Sequence, residues 1–321
     1  MTFENIEFRE PLVYAVKHKN MDVRMNSRSG GFFTSISDLF INDGGVVYGC
    51  VLDNNLDAVH MRATTQFERD RMMGSKYIQS NIGDMFKKVR YDLDSGKRVL
   101  FTGTSCQVAG LLNYIGDDNS KLFCVDIVCH GVPSPKVFHN YIQWQEINMK
   151  SKCIGFDFRN KKEFGWNTHI ETLNFANGSK VNSEIFKNLF YAHQCIRPSC
   201  YSCAYKSILH PGDITIADYW GIDKAAPGFD DNKGVSLVLV NNRTAERLFH
   251  SLTDIEVRKC RIEDSMQPPL EAPFPEPVNR SEFWDDLNCR DFGYVAAKYG
   301  NNDAIHKAKH MIKKLLRKSL Y

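Results

Sequence analysis

Between residues 31 and 42, Phe32, Phe33, Ile36, Leu39 and Phe40 recur at the spacing of one helical face, and Asp43-Gly44-Gly45 stops them before the apolar run Val46 to Leu52. The pattern predicts helix, turn, strand. The same spacing returns from Ile82 through Met85, Phe86, Val89 and Leu93, Gly96 closes it, and Arg98 to Thr102 reads as a short buried strand. Gly103-Thr104-Ser105 is then a turn, and Cys106, Ala109, Leu111 and Leu112 open another helix. Leu122 to Val128 is a further buried strand, and Ser134-Pro135 caps a helix through Trp144.

Past residue 150 the period shortens. Cys153 to Phe158, Thr168 to Phe175 and Lys180 to Ile185 read as strands, the last two joined by an Asn177-Gly178 hairpin. Asp213 to Asp218, Val235 to Val240 and Ile255 to Cys260 are further strands, with a helix near Thr244 to Leu252. The proline-rich piece Gln267 to Pro277 reads as a surface crossing. Over Asp303 to Leu320, Ile305, Ala308, Ile312, Leu315 and Leu316 share one face among lysines and an arginine, predicting a basic amphipathic helix. The expected fold is mixed α/β (α+β). Residues 1–148 form a parallel-rich lobe, 149–265 a more antiparallel lobe, and 266–321 an extension ending in the basic helix.

Composition narrows this picture. At 321 residues, 43% hydrophobic and 25% charged, the chain has the balance of a soluble globular protein, which sets aside disordered and fibrous classes. Lys plus Arg exceed Asp plus Glu by only 41 to 38, too little for a whole-surface nucleic-acid binder, so no nucleic-acid partner is expected. The opening MTFENIEFRE lacks the basic and apolar regions of a secretory signal, and no bilayer-spanning run follows. The expected compartment is the cytoplasm, where the ten cysteines would be reduced thiols.

Cys200 and Cys203 form a C-x2-C that lets two thiolates from one loop reach a single metal or cluster, and Cys195 extends it to C-x4-C-x2-C. Cys106 and Cys129 sit at the carboxyl ends of predicted strands, where an α/β sheet presents its functional groups, so four thiols are candidates to converge. Two other readings stand beside this one. A zinc knuckle completed by His193, His210 or His130 would make the chain a binding or adaptor protein without redox activity. Alternatively, Cys106 at a helix N-terminus would be a nucleophile, with His130 as its base.

Ser27-Arg28-Ser29-Gly30-Gly31 precedes the first helix and suits a phosphate, although neither a Walker A nor a G-x-G-x-x-G pattern is present. Gly74-Ser75-Lys76-Tyr77 adds hydroxyl, ammonium and aromatic groups that could pair with a pyrophosphate and flank a planar ring. Arg159, Lys161, Trp166 and His169 read first as an exposed basic loop and second as an anion site. The basic helix reads first as one docked through its apolar face, and second as a contact to an anionic membrane surface.

In order, SGGFF, GGVVYG, GSKYIQS, FTGTSCQ, CHGVPSP, RPSCYSC, DITIADYWG and KGVSLVLVN resemble the coenzyme F420 hydrogenase/dehydrogenase beta-subunit family over residues 25–240. The resemblance implies an iron-sulfur flavoprotein oxidoreductase that passes electrons between a [4Fe-4S] cluster and a flavin, FAD or FMN. That flavin would exchange hydride with a small-molecule substrate or with coenzyme F420. It also implies Cys106, Cys129, Cys200 and Cys203 as cluster ligands. Ser29, Gly30, Gly31, Ser75, Lys76, Tyr77, Gly103 and Thr104 would line the flavin site. Ser105 stands where the family usually has Pro, and Ala217 where it usually has Gly. No C-x2-C-x2-C-x3-C-P run of a ferredoxin module is present, so the resemblance implies a separate electron donor such as a ferredoxin. Short forms of the family also suggest a link to bacterial polysaccharide synthesis.

Overall fold

The computed structural model describes residues 7–116 and 120–303, so the basic helix expected over 303–320 falls, beyond its first residue, outside the described residues. Eleven strands are described: β1 (Glu7–His18), β2 (Val46–Leu52), β3 (Ala58–Ala63), β4 (Val99–Thr104), β5 (Leu122–Ile127), β6 (Cys153–Asp157), β7 (Glu171–Phe175), β8 (Lys180–Ser183), β9 (Ile214–Asp218), β10 (Ser236–Asn242) and β11 (Ile255–Cys260). Eight of them make one sheet in the order β11-β1-β10-β9-β5-β4-β2-β3, and β6-β7-β8 make a second. In the main sheet β2, β4, β5 and β9 run parallel, while β3, β10, β1 and β11 pair antiparallel at its flanks. The α/β class read from the sequence is the class observed.

Both faces of the parallel centre are covered, which is why its strands are apolar runs rather than alternating ones. Val47, Leu100 and Val125 join a core with Phe32, Ile36 and Phe40 of helix Phe32–Asn42. Their neighbours Val46, Tyr48, Val99, Phe101 and Cys124 point the other way, onto helices Met85–Asp94 and Ser105–Ile115. A separate core packs helix Pro135–Met149 and helix Ile185–Tyr191 against the three-stranded sheet, with Phe283, Leu287 and Val295 from helices Arg280–Cys289 and Phe292–Lys298.

The second half of the chain is divided differently from the sequence reading. Only β6 to β8 stand apart as an antiparallel sheet; β9, β10 and β11 complete the main sheet, so that sheet draws strands from both sides of residue 149. β1 and β3 had no counterpart in the sequence reading. β1 is interrupted by Pro11, which cannot donate to a ladder, and its register against β10 shifts between Glu7 and Leu12. Among the described residues no helix is long and apolar enough to cross a membrane.

The first turn of interest is locked by β1 and β10. Gly30 accepts from His18 N–H at 2.7 Å and donates its own N–H to Ser236 Oγ at 2.9 Å. A Cβ at Gly30 would lie 2.1 Å from the Val16 carbonyl oxygen and 2.6 Å from Ser236 N. Gly30→Ala is therefore expected to lower stability by about 1–3 kcal/mol, as overpacking does. Urea unfolding checks this, and a midpoint equal to that of the natural sequence would refute the close approach.

Candidate functional site

Parallel strands β4, β5 and β9 end on one edge of the sheet, and a cavity of about 1250 Å³ opens there. This exceeds the roughly 300–1,000 Å³ of common ligand pockets, leaving room for a dinucleotide-sized group and a second ring. The chain leaving each strand supplies one wall: Gly103, Thr104 and Cys106 after β4, Cys129 and His130 after β5, and Asp218 and Trp220 after β9.

Ser29 and Gly31 line the cavity, whereas Gly30, expected beside them, does not, because it is pressed against β1 and β10. Gly31 has φ +93° and starts helix Phe32–Asn42 with no side-chain cap, so that end presents backbone N–H groups and a partial positive charge. The turn is held from behind by Lys161, whose Nζ donates to the carbonyls of Arg24 at 2.5 Å, Ser29 at 3.0 Å and Lys233 at 3.0 Å.

Ser75, Lys76 and Tyr77 also line the cavity. The Lys76 ammonium is spent within its own loop, donating at 2.8 Å to the carbonyls of both Met72 and Met73. It therefore shapes the loop rather than standing free for a pyrophosphate. Burial holds it below its ordinary value, down to about 8. Tyr77 is stacked on Phe190 with ring centroids 5.2 Å apart, making a flat apolar wall. Thr104 and Gln107 form a capping box at the start of helix Ser105–Ile115, and Gln107 Nε2 donates to Ser80 Oγ at 2.8 Å, tying that helix to the loop.

Of the residues read first as an exposed basic loop, Arg159, Lys161 and Trp166 are buried and His169 is half-buried, which corrects that reading. Arg159 Nη1 donates to Asp218 Oδ2 at 2.5 Å and Trp166 Nε1 donates to Asp218 Oδ1 at 3.0 Å, while Arg28 Nη2 donates to the Trp166 carbonyl at 2.7 Å. Two guanidinium groups thus face one carboxylate on the cavity wall. Burial alone would raise the Asp218 carboxyl; Arg159 and Arg28 reverse this and hold it below its ordinary value. His169 does not line the cavity but packs against Tyr77, which does, 5.3 Å away ring to ring.

Cys106 and Cys129 line the cavity, while Cys200, in the 3-10 turn Pro198–Ser202, and Cys203, the residue that ends it, do not. Cys106 and Cys200 are nevertheless near enough to Cys129, and Cys106 and Cys203 near enough to Cys200, to act on them electrostatically. Burial pushes the Cys129 thiol up to about 12; Cys200 and Cys106 push it the same way, while Lys206 and the Gly131 N–H oppose them. Burial likewise raises Cys200, against a hydrogen bond from the Val132 backbone. Among the described residues no group of three or more His, Cys, Asp or Glu side chains is placed to hold a single metal ion. Cys195, which extended the local spacing, lies in the core with its Sγ 3.3 Å from the Leu189 carbonyl oxygen. Its spacing in sequence does not bring it to the other four.

Three features were invisible in the sequence. Lys206 enters the cysteine cluster from outside the C-x2-C. His130 and His193 pair with Nε2 atoms 2.6 Å apart, covered by Phe274 at ring distances of 4.2 and 4.3 Å. That ring comes from the proline-rich stretch, which with Met266, Gln267, Pro268 and Pro269 walls the cavity instead of merely crossing the surface. The departure at Ser105 also has a use that Pro could not serve: Ser105 Oγ lies 3.1 Å from His210 Nδ1, itself 2.9 Å from the buried Asp126.

Residues 96–263 match the family model for the C-terminal part of the coenzyme F420 hydrogenase/dehydrogenase beta subunit. A similar solved structure is a chain of the F420-reducing [NiFe] hydrogenase complex from Methanosarcina barkeri, at 16% identity and a TM-score of 0.55, covering 87% of this chain and 89% of that one. At that identity the likeness is one of fold. No curated protein matches.

One cavity histidine sets a pH dependence. His60 is 5% exposed, its Nε2 is 3.1 Å from the Thr102 carbonyl oxygen, and its Nδ1 is buried without a hydrogen-bond partner. Burial pushes its pKa down to about 4, so between that value and the unfolded value of about 6.5 the unfolded chain binds the extra proton. Its contribution to stability is complete above about pH 6.5 and is lost as the pH falls toward 4. The urea midpoint is expected to be lower at pH 5 than at pH 7, with the difference reduced in His60→Gln. An undiminished difference in that variant would assign the effect elsewhere.

Proposed function

The chain belongs to the coenzyme F420 hydrogenase/dehydrogenase beta-subunit family, and from that premise we propose that it is an iron-sulfur flavoprotein oxidoreductase. The observation that supports the reading is that Cys106 and Cys129 line a cavity large enough for a flavin dinucleotide and lie within electrostatic reach of Cys200, which is itself within reach of Cys203. When bound, a [4Fe-4S] cluster supplies single-electron exchange and a flavin supplies hydride exchange with a small-molecule substrate or with coenzyme F420.

The residues fit these groups. Cys106 and Cys129 follow β4 and β5 at the sheet edge, Cys200 and Cys203 come from the 3-10 turn Pro198–Ser202 and the residue after it, and backbone N–H groups of Gly131 and Val132 favour anionic sulfur at Cys129 and Cys200. Gly31 and the uncapped start of helix Phe32–Asn42 would receive phosphate oxygens of FAD or FMN, with Ser29 alongside. Gly103 and Thr104 leave a side-chain-poor stretch against which a ring can lie, and Tyr77 offers a flat face. Arg28 and Arg159 against the single carboxylate of Asp218 leave an excess of positive charge suited to an anionic part of a cofactor or substrate. Met266, Pro268 and Phe274 add apolar surface to the same cavity. An electron-donor protein such as a ferredoxin is the partner this reading requires.

Anaerobic purification with assay of iron, sulfide, zinc and released flavin tests the proposal. A brown protein with about four irons and one flavin per chain is expected; a colourless protein with stoichiometric zinc, and neither iron nor flavin after reconstitution, would sink it. Cys200→Ala is expected to lose the cluster absorbance and Cys195→Ala to keep it. Full iron in Cys200→Ala would refute the ligand assignment.

A further inference from the structure

Three residues past Cys203, Lys206 turns back into the ring of thiols. It is 7% exposed, its Nζ donates to the carbonyl of Cys129, and it lies 5.1 Å from the Phe274 ring centroid. Burial works against its positive charge, and the nearby Cys129, Cys203 and Cys200 thiols are the groups that favour it. Among the described residues it forms no ion pair with a carboxylate. A buried ammonium needs a counter-charge, and the acids these contacts offer are the thiols of Cys129, Cys203 and Cys200, which become anionic once they hold a cluster.

We propose that Lys206 is the counter-ion of the cysteine-held cluster and raises its reduction potential. The inference rests on the iron-sulfur reading given above. Reduction adds one electron, hence one negative charge, to a group already held by four thiolates. A fixed positive charge beside three of them stabilises the reduced form more than the oxidised one. Lys206 is a positioning residue that also acts electrostatically, since its hydrogen bond fixes the Cys129 loop and its charge acts on the cluster.

The two roles separate in variants. Lys206→Gln keeps a donor for the Cys129 carbonyl and removes the charge, whereas Lys206→Arg keeps the charge. On anaerobically reconstituted full-length protein, the midpoint potential is read by spectroscopic redox titration alongside iron content and far-ultraviolet dichroism. Lys206→Gln is expected to lower the one-electron equilibrium constant by at least about tenfold, about 59 mV, with Lys206→Arg close to the natural protein. Loss of the cluster in Lys206→Gln alone, with a folded protein, also supports the counter-ion role. A natural-like potential in Lys206→Gln at full iron content would overturn it, as would equal loss of the cluster from both variants. Failure of the natural protein to take up iron and sulfide would overturn the cluster reading and this inference together, an outcome distinct from an unchanged potential.

Discussion

The Asp218 carboxylate is where three distant stretches of chain are pinned to one another. It ends β9, accepts from Arg159 and Trp166 of the segment after β6, and faces Arg28 of the glycine-rich turn at 3.8 Å. Removing one partner of such a buried pair costs about 3–5 kcal/mol, because the charge left behind has no water. The cost would not be confined to stability, since the same three stretches form the cavity wall. Arg28 also donates to the carbonyls of Arg159 and Trp166, so the basic segment and the glycine-rich turn move as one body. Trp166 and Trp220 stack nearly parallel with ring centroids 5.0 Å apart, and the Arg159 guanidinium lies 4.8 Å from the Trp220 ring, so an aromatic surface adjoins the ion pairs.

The opposite end of the cavity is built on a different principle. There the polar groups are thiols and backbone N–H groups, loops carry them, and a single buried lysine stands where the first wall has paired charges. The sheet edge joins the two walls: β4, β5 and β9 end side by side, so the residues that leave them are neighbours by construction.

Much of this was legible in the sequence because it is local. The helix before Asp43-Gly44-Gly45, the buried runs of β2, β4 and β5, and the hairpin at Asn177-Gly178 each declare themselves by spacing and turn chemistry within a dozen residues. What was not legible depends on partners far away in the chain. Lys161 reads as a solvated residue until the carbonyls of Arg24, Ser29 and Lys233 surround it. Cys195 reads as an extra ligand until its Sγ is seen against Leu189 in the core. Gly30 reads as ligand-facing, but the close approach that requires a glycine is that of the protein's own strands. β1 escaped because Pro11 and the charged residues around it mask a strand whose inward half, Val13 to Val16, is wholly buried.

That first strand has a consequence for the order in which the molecule can form. β1 pairs only with β10 and β11, more than two hundred residues later in the chain. During synthesis β1 therefore stays without these partners until β10 and β11 have been made, and contacts of such sequence separation are slow to close. The glycine-rich turn, anchored by Ser236 and Lys233, waits for the same late arrivals. The cavity is in this sense a late product of folding, because its glycine-rich wall is set only once β1 has met strands more than two hundred residues further along the chain.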